Sequence, residues 1–232
     1  GLLTLRGYEL LQRADVVLYD GLVHPLVLAF AKGELVRTSR ANKNEDAAKK
    51  QSAIHELLIG AAREGKTVVR LKGGDPLIFG RGGEEALALT DAEIPYEIVP
   101  GITAATAACA YAGIPLTHRE SASAVALITG HEDPTKPESS LDYGELAKFP
   151  GTLVFYMGLH RLEAIVDALI AAGRNPAEAA AVISQATTPM QQTVTAALSE
   201  LPTRVREANV HAPSVIVVGA VADLRSTIQW VE

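Results

Sequence analysis

The residues best suited to chemistry in this sequence are the paired glycines and the aspartate of the turn Gly73-Gly74-Asp75-Pro76. The turn follows Val68–Leu71, where β-branched and aliphatic residues predict a buried strand. Glycine tolerates positive φ and has no Cβ, so a ligand can approach the backbone of the turn closely. Pro76 then ends strand pairing because it has no N–H to donate. Such a turn is typical of ligand sites, which in open α/β sheets lie just beyond the carboxyl ends of strands.

The residue types at this turn do not match the two common nucleotide-binding patterns. A phosphate-binding loop ends in Gly-Lys followed by Ser or Thr, whereas Gly74 is followed by Asp75. The dinucleotide fingerprint needs a small residue three positions after Gly82, where Glu85 stands instead. The charge of Asp75 repels phosphate and favours a ligand with hydrogen-bond donors or positive charge. From the glycines alone, a βα turn that binds no ligand remains an alternative.

Apolar spacing predicts alternating helices and strands around this turn. In the N-terminal half, the predicted elements are a helix at Thr4–Ala14, a strand at Val16–Tyr19, a helix at His24–Ala31, a strand at Leu35–Val36, a helix through Ile54–Ala61, a helix that opens at Gly82, a strand at Tyr96–Val99 and a helix at Thr103–Ala112. In the C-terminal half, they are strands at Ala124–Thr129, Thr152–Tyr156 and Ala180–Ser184, a helix at Leu159–Ala172, and antiparallel pairing of Gln192–Thr195 and Ser214–Val218 around a helix at Leu201–Ala208. We therefore predict two α/β domains, residues 1–119 and 120–232, with the active cleft between them.

Composition limits the classes of protein that this chain can be. The 232 residues are 48% hydrophobic with 5% aromatics, which is typical of a globular α/β enzyme with close helix–sheet packing. A net charge of −6 argues against a general nucleic-acid binder, which needs a basic surface. The single cysteine, Cys109, is predicted to be a packed helix residue and is consistent with a reducing compartment. The histidines show no metal-ligand spacing, and no apolar run reaches membrane-span length.

Several segments resemble one enzyme family. Arg70–Glu85 reads Arg-Leu-Lys-Gly-Gly-Asp-Pro-Leu-Ile-Phe-Gly-Arg-Gly-Gly-Glu-Glu and closely resembles the central motif of the uroporphyrinogen-III C-methyltransferases, which belong to the tetrapyrrole methylase family. The other matching segments follow in the family's order: Gly1–Arg6, Val17–Asp20, Val99–Ala105, Gly113–Arg119, Thr129–His131 and Val154–Gly158. The resemblance covers nearly the whole chain and implies two α/β domains of the tetrapyrrole methylase type.

The resemblance implies methyl transfer from S-adenosyl-L-methionine to carbon atoms on two pyrrole rings of uroporphyrinogen III. The products would be precorrin-2, on the route to siroheme and cobalamin, and S-adenosyl-L-homocysteine. The protein would hold the pyrrole carbon, the methyl group and the sulfur in line, and would supply an acid or base for proton transfer. The resemblance also implies a cytoplasmic homodimer with a small-molecule tetrapyrrole substrate and no metal, nucleic-acid or membrane partner.

Residue by residue, the resemblance assigns two kinds of site. Asp20 matches the family's proton acceptor, although an aspartate at a strand end is usually a turn residue. The cofactor pocket would use Gly73, Gly74, Asp75, Ile78, Thr103, Ala104, Met157 and Ala186. Without the resemblance, Met157 and Ile78 would be interpreted as core residues.

The polycarboxylate substrate calls for arginines, whose planar guanidinium groups bind carboxylates in pairs of hydrogen bonds. The candidates are Arg70, Arg81 and Arg119. Surface salt bridges are the alternative for these residues. That alternative is weakest for Arg70, because a guanidinium inside an apolar strand needs a partner.

The sequence departs from the family at three places. Ser39 stands where the family has a proton-donor lysine, so Arg40 or Lys43 would have to substitute, or the role is dispensable or weakened. Gly21 stands where an arginine is common. The family's first strand and its glycine–proline loop precede the position of Gly1, so we expect the chain to lack part of the cofactor pocket. Two other functions remain open: methylation of a later corrinoid precursor and, because of Ser39 and Gly21, cofactor binding with little turnover.

Overall fold

The computed structural model describes residues 1–38, 47–131 and 140–231. These residues form two compact units, Gly1–Thr103 and Ala104–Glu232. Their boundary precedes the one predicted at residues 119 and 120. The functional division into domains and the position of the cleft stay predictions.

The first unit is built on a three-stranded parallel sheet whose order is β2-β1-β3. Its elements are α1 (Leu5–Arg13), β1 (Val16–Tyr19), α2 (Pro25–Leu28), β2 (Glu34–Arg37), α3 (Ala47–Arg63), β3 (Val68–Leu71) and α4 (Gly82–Asp91). The central strand β1 is apolar along its length because both of its faces are covered. Val17 packs with Leu11 on one face, and Leu18 packs with Leu58 on the other.

Local signals fix where the first helix of this unit begins. The side chain of Thr4 accepts a hydrogen bond from the backbone N–H of Gly7 at 3.2 Å, as an N-cap residue does. The prediction of this helix is confirmed. The helix predicted at His24–Ala31 is shorter than expected: it ends at Leu28, because the backbone N–H groups of Phe30 and Ala31 bond three residues back in a tighter turn.

One predicted strand is wrong. Residues Tyr96–Val99 have the alternation of a strand but form no ladder with another described segment. Tyr96 and Ile98 are exposed, and Glu97 is held by hydrogen bonds of 2.6 and 2.7 Å from Arg6. A strand needs a neighbour to satisfy its backbone groups, and alternation in the sequence does not supply one.

The second unit is built on a five-stranded mixed sheet whose order is β4-β5-β8-β6-β7. Its elements are α5 (Ala104–Ala112), β4 (Val125–Thr129), α6 (Tyr143–Lys148), β5 (Thr152–Tyr156), α7 (Leu162–Ala171), β6 (Ala179–Ser184), β7 (Gln192–Ala197), α8 (Leu201–Glu207), β8 (Ser214–Val218) and α9 (Arg225–Ile228). Leu153, Phe155 and Ile216 form the centre of its apolar core. Cys109 is buried in α5, as predicted.

The predicted antiparallel pairing of Gln192–Thr195 with Ser214–Val218 is wrong, although both segments form strands of this sheet. β7 and β8 do not pair with each other; each pairs with β6. β8 lies between β5 and β6 and is buried from Val215 to Val218, whereas β7 lies at the edge with partly exposed threonines. The two α/β units with separate sheets confirm the predicted fold class. Within the described ranges, every helix is too short or too polar to cross a membrane.

Candidate functional site

The turn after β3 has the conformation that its glycines predict. Gly74 has φ of +88°, and Gly73 and Gly74 are both exposed. A Cβ on Gly101 would overlap the carbonyl oxygen of Gly74, so these two backbone segments approach as closely as glycine permits. The turn therefore presents its backbone to the surface of the first unit.

Asp75 holds this turn in place through both of its carboxylate oxygens. Oδ1 accepts from the backbone N–H of Leu77 at 2.9 Å, and Oδ2 accepts from the N–H of Gly101 at 3.0 Å. Each carboxylate oxygen has a second lone pair, so these bonds leave capacity for a ligand donor. Ile78, farther along the loop, is half-buried.

A cluster of charged side chains lies at the carboxyl ends of β1 and β3. Arg70 Nε donates to Glu85 Oε1 at 3.0 Å, and Arg70 Nη2 lies 3.7 Å from Asp20 Oδ2. Lys72 Nζ donates to the two oxygens of Glu85 at 3.2 and 3.1 Å. Parallel neighbouring strands bring their carboxyl ends to one edge, which explains why Asp20 and Arg70 meet. The sequence prediction that Arg70 needs a buried partner is confirmed.

Burial and charge both act on Lys72. Burial lowers the pKa of its ammonium group and the charge of Arg70 lowers it further, while Glu85 raises it and so opposes the shift. Lys72 therefore releases a proton more readily than an exposed lysine does.

Arg81 lies on the surface at the start of α4 and is paired within its own helix turn. Its Nε and Nη2 donate to Glu84 at 2.9 and 2.7 Å. These bonds raise the pKa of Arg81 and lower the pKa of Glu84. Arg119 is exposed in the turn that joins His118 to Ala122.

In the second unit, the predicted cofactor residues follow strands that run in one direction. β5 and β6 are each antiparallel to β8, so their carboxyl ends lie at the same edge of the sheet. Met157 directly follows β5, and Ala186 follows β6 by two residues. Met157 is 52% exposed, so it is not a core residue.

A hydrogen bond ties the start of α5 to the end of β5. The backbone N–H of Ala105 donates to the hydroxyl of Tyr156 at 3.1 Å. Ala104 is exposed at the first position of α5, next to the residue that makes this bond. Thr103, which ends the first unit, is buried.

Strained backbone conformations occur in the loops that follow β3, β5 and β6. A positive φ is uncommon outside glycine and costs roughly 1–3 kcal/mol per residue, and it clusters at functional sites. Here it occurs after β3 at Phe79 and Arg81, after β5 at Met157, and on both sides of Ala186 at Gln185 and Thr187. Glu93 and Asn209 also have positive φ, and each lies just after the end of a helix.

Sequence reasoning missed the partner that organises the charged cluster. Glu85 lies in the first turn of α4 and accepts from Arg70, Lys72 and Gln51. The available signal was the need of Arg70 for a buried anion. That need does not say which acidic residue meets it. Ser39, Arg40 and Lys43 lie outside the described residues.

Comparison with known proteins identifies the family. The model for Tetrapyrrole (Corrin/Porphyrin) Methylases matches residues 1–202. A siroheme synthase of Ectopseudomonas mendocina is 48% identical over the whole chain. The chain spans about half the length of the curated relatives it matches.

Two solved structures extend the likeness to the fold. A uroporphyrin-III C-methyl transferase from Thermus thermophilus, complexed with S-adenyl homocysteine, is 41% identical with a TM-score of 0.79, covering 96% of this chain and 93% of the other. A cobalt precorrin-4 methyltransferase is 29% identical with a TM-score of 0.83, covering 96% and 90%. The chain belongs to the tetrapyrrole methylase family.

Proposed function

We propose that the chain catalyses S-adenosyl-L-methionine-dependent C-methylation of uroporphyrinogen III on two pyrrole rings, giving precorrin-2 for siroheme and cobalamin biosynthesis. The observation that carries the proposal is the likeness, over nearly all of both chains, to a uroporphyrin-III C-methyl transferase crystallised with S-adenyl homocysteine. The charged cluster around Asp20 supports it, because the reaction needs a proton acceptor.

The residues proposed for the cofactor suit its chemistry. Gly73 and Gly74 are exposed and have no Cβ, so an adenosyl group can approach their backbone. Asp75 keeps acceptor capacity for an ammonium or a ribose hydroxyl, and Met157 offers a polarisable apolar surface. The full proposed set is Gly73, Gly74, Asp75, Ile78, Thr103, Ala104, Met157 and Ala186.

The methyl donor, when bound, supplies an electrophilic carbon: a pyrrole carbon forms the new C–C bond as the S–CH₃ bond breaks and its electron pair stays on sulfur. The charge left on the macrocycle is removed when a ring proton departs, and Asp20 is proposed to accept that proton. Arg70 Nη2 lies 3.7 Å from Asp20 Oδ2 and so places a positive charge beside the proposed base. The protein's main contribution is to align the reacting atoms.

The substrate's carboxylates are proposed to contact arginines. Arg81 and Arg119 are exposed enough to exchange their present surroundings for a substrate carboxylate. Arg70 is 13% exposed and bonded to Glu85, which supports a contribution through its charge rather than through a new bidentate contact. A cytoplasmic homodimer, as the family resemblance implies, completes the proposal.

The test is to supply the full chain with uroporphyrinogen III and S-adenosyl-L-methionine. We expect a methylated product with a changed visible spectrum and one S-adenosyl-L-homocysteine released per methyl group. The absence of product at saturating substrate would reject the proposal.

The likeness to a cobalt precorrin-4 methyltransferase favours one second candidate, methylation of a later corrinoid precursor. A panel of tetrapyrrole substrates separates the two, because only the favoured macrocycle gives a high kcat/KM. Ser39 motivates the other alternative, a binding protein. Calorimetry that shows cofactor binding without methyl transfer would select that alternative.

A further inference from the structure

Glu85 is the most fully engaged carboxylate among the described residues of the charged cluster. It is 5% exposed, at the start of α4. Oε1 accepts from Arg70, Lys72 and, at 3.4 Å, Gln51, while Oε2 accepts from Lys72. A buried carboxylate is costly unless it is paired in this way, so Glu85 and its two cations stabilise one another as a set.

Arg70 links Glu85 to Asp20 because its guanidinium group contacts Glu85 and faces Asp20. Its Nε bonds to Glu85, its Nη1 donates to the backbone carbonyl of Leu71 at 3.0 Å, and its Nη2 faces Asp20. A planar guanidinium held at two sites has little freedom at the third. The N–H of Leu22 donates to Oδ1 of Asp20 at 2.9 Å, and the charge of Arg70 faces Oδ2 at 3.7 Å, so both favour one orientation of the Asp20 carboxylate.

Opposite charges are matched in number within the cluster. Arg70 and Lys72 supply two positive charges, and Glu85 and Asp20 supply two negative charges. Without the Glu85 carboxylate, Arg70 and Lys72 would lose the anion that pairs with both of them. Arg70 would then be drawn toward Asp20, and Lys72 would lose its proton more readily.

We propose that Glu85 is a positioning residue for the reaction: by clamping Arg70 and Lys72 to one carboxylate, it orients the Asp20 carboxylate that faces Arg70. The proposal rests on the proposed function. The proposal also gives Lys72 a role as a cation of the site. The lysine that the family resemblance implies is replaced by Ser39 in this sequence.

The experiment compares Glu85→Gln and Glu85→Asp in the full chain. Glu85→Gln keeps the size of the side chain and removes its charge, so we expect kcat to fall about 100-fold, as for a misplaced catalytic group, with KM changed less than about threefold. Glu85→Asp restores the charge at a shorter reach, and we expect it to recover about tenfold of that loss.

The pH profile separates positioning from simple stabilisation. Glu85 raises the pKa of Lys72, so its removal should move the basic limb of the kcat profile to lower pH, and Glu85→Asp should move it back. The charged groups that face Lys72 among the described residues are Arg70, Asp20 and Glu85, and Glu84 interacts with it more weakly.

The matched control is Glu178→Gln. Glu178 forms the same kind of contact in the second unit, where Arg174, 7% exposed, donates to its two oxygens at 2.5 and 2.8 Å. This variant should lower thermal stability and leave the pH limb unmoved.

Two results would overturn the proposal. The first is a folded Glu85→Gln variant with the wild-type kcat and pH profile. The second is a loss of activity that follows melting temperature alone, as in the control.

If the wild type forms no product, the proposed function fails on its own. The clamp is then still tested by the titration of Lys72, followed by NMR of ¹³Cε-labelled lysine and assigned with Lys72→Arg. An unchanged Lys72 titration in Glu85→Gln would reject it.

Discussion

Asp20 can be tested by a change that removes its charge and leaves its local structure. Asp20→Asn keeps an oxygen to accept the N–H of Leu22, so the turn after β1 should persist. The amide is not a base at neutral pH. We expect kcat to fall by about 10²–10⁴-fold, the range for loss of a general base. The dissociation constant for S-adenosyl-L-homocysteine, measured by calorimetry, should stay within about threefold of wild type. A variant with near-normal kcat would remove Asp20 from the mechanism.

Cys109 illustrates a residue whose chemistry is suppressed by its surroundings. It is 1% exposed, and burial raises the pKa of its thiol to about 12. The thiolate is the reactive form, so we expect alkylation by iodoacetamide at pH 8 to require unfolding. Labelling followed by mass spectrometry should show slow modification in native buffer and rapid modification in urea. Equal rates in the two solutions would contradict this assignment.

At the scale of elements, the close approach of Gly101 to Gly74 should limit which substitutions the turn Gly73–Pro76 tolerates. A Cβ at residue 101 would overlap the carbonyl oxygen of Gly74 and displace the turn that Asp75 holds. We expect Gly101→Ala to weaken S-adenosyl-L-homocysteine binding about tenfold or more, as measured by calorimetry.

Gly60 provides the matched control for this substitution. It lies inside α3, where a Cβ would meet nothing within 4 Å. Gly60→Ala should raise the free energy of unfolding by about 0.5–1 kcal/mol through helix propensity, with cofactor affinity unchanged. If the two variants weaken binding equally, the close approach at Gly101 has no special role.

The same elements show what sequence patterns can predict. The strand at Val16–Tyr19 was predicted from its apolar run, because a central parallel strand is buried on both faces. The segment Tyr96–Val99 has an equally good pattern and forms no strand, because pairing depends on a neighbour that the pattern does not contain. The start of α1 could be predicted from Thr4 because the capping hydrogen bond joins residues that are only three positions apart.

The charged cluster could be predicted only in part for the same reason. The family resemblance marks Asp20, and the apolar strand around Arg70 indicates a need for a partner. The choice of Glu85 depends on how α4 packs over β3, fifteen residues away in sequence. Gln51 joins from a third element, across a separation of 34 residues. Such contacts are set by tertiary packing, which residue types and spacing do not specify.

At the scale of the whole molecule, exposed ion pairs should make the free energy of unfolding depend on pH in the acid range. The pKa of Glu64 is lowered by its hydrogen bond from Lys66, and that of Glu97 by its hydrogen bond from Arg6. A carboxyl group whose pKa is lower when folded stabilises the protein above its unfolded pKa, and this contribution is lost as pH falls through the folded value. We therefore expect both pairs to contribute fully at neutral pH and to lose their effect progressively below the ordinary glutamate value of 4.5.

Urea unfolding at a series of pH values from 7 to 3 measures this dependence. The double variant Glu64→Gln, Glu97→Gln should lose less stability between pH 5 and 3 than wild type, because it has two fewer carboxylates to protonate on unfolding. Since both pairs are exposed, 1 M salt should reduce the difference between the proteins at neutral pH. Parallel curves for the two proteins at low salt would mean that these pairs have the same proton affinity folded and unfolded.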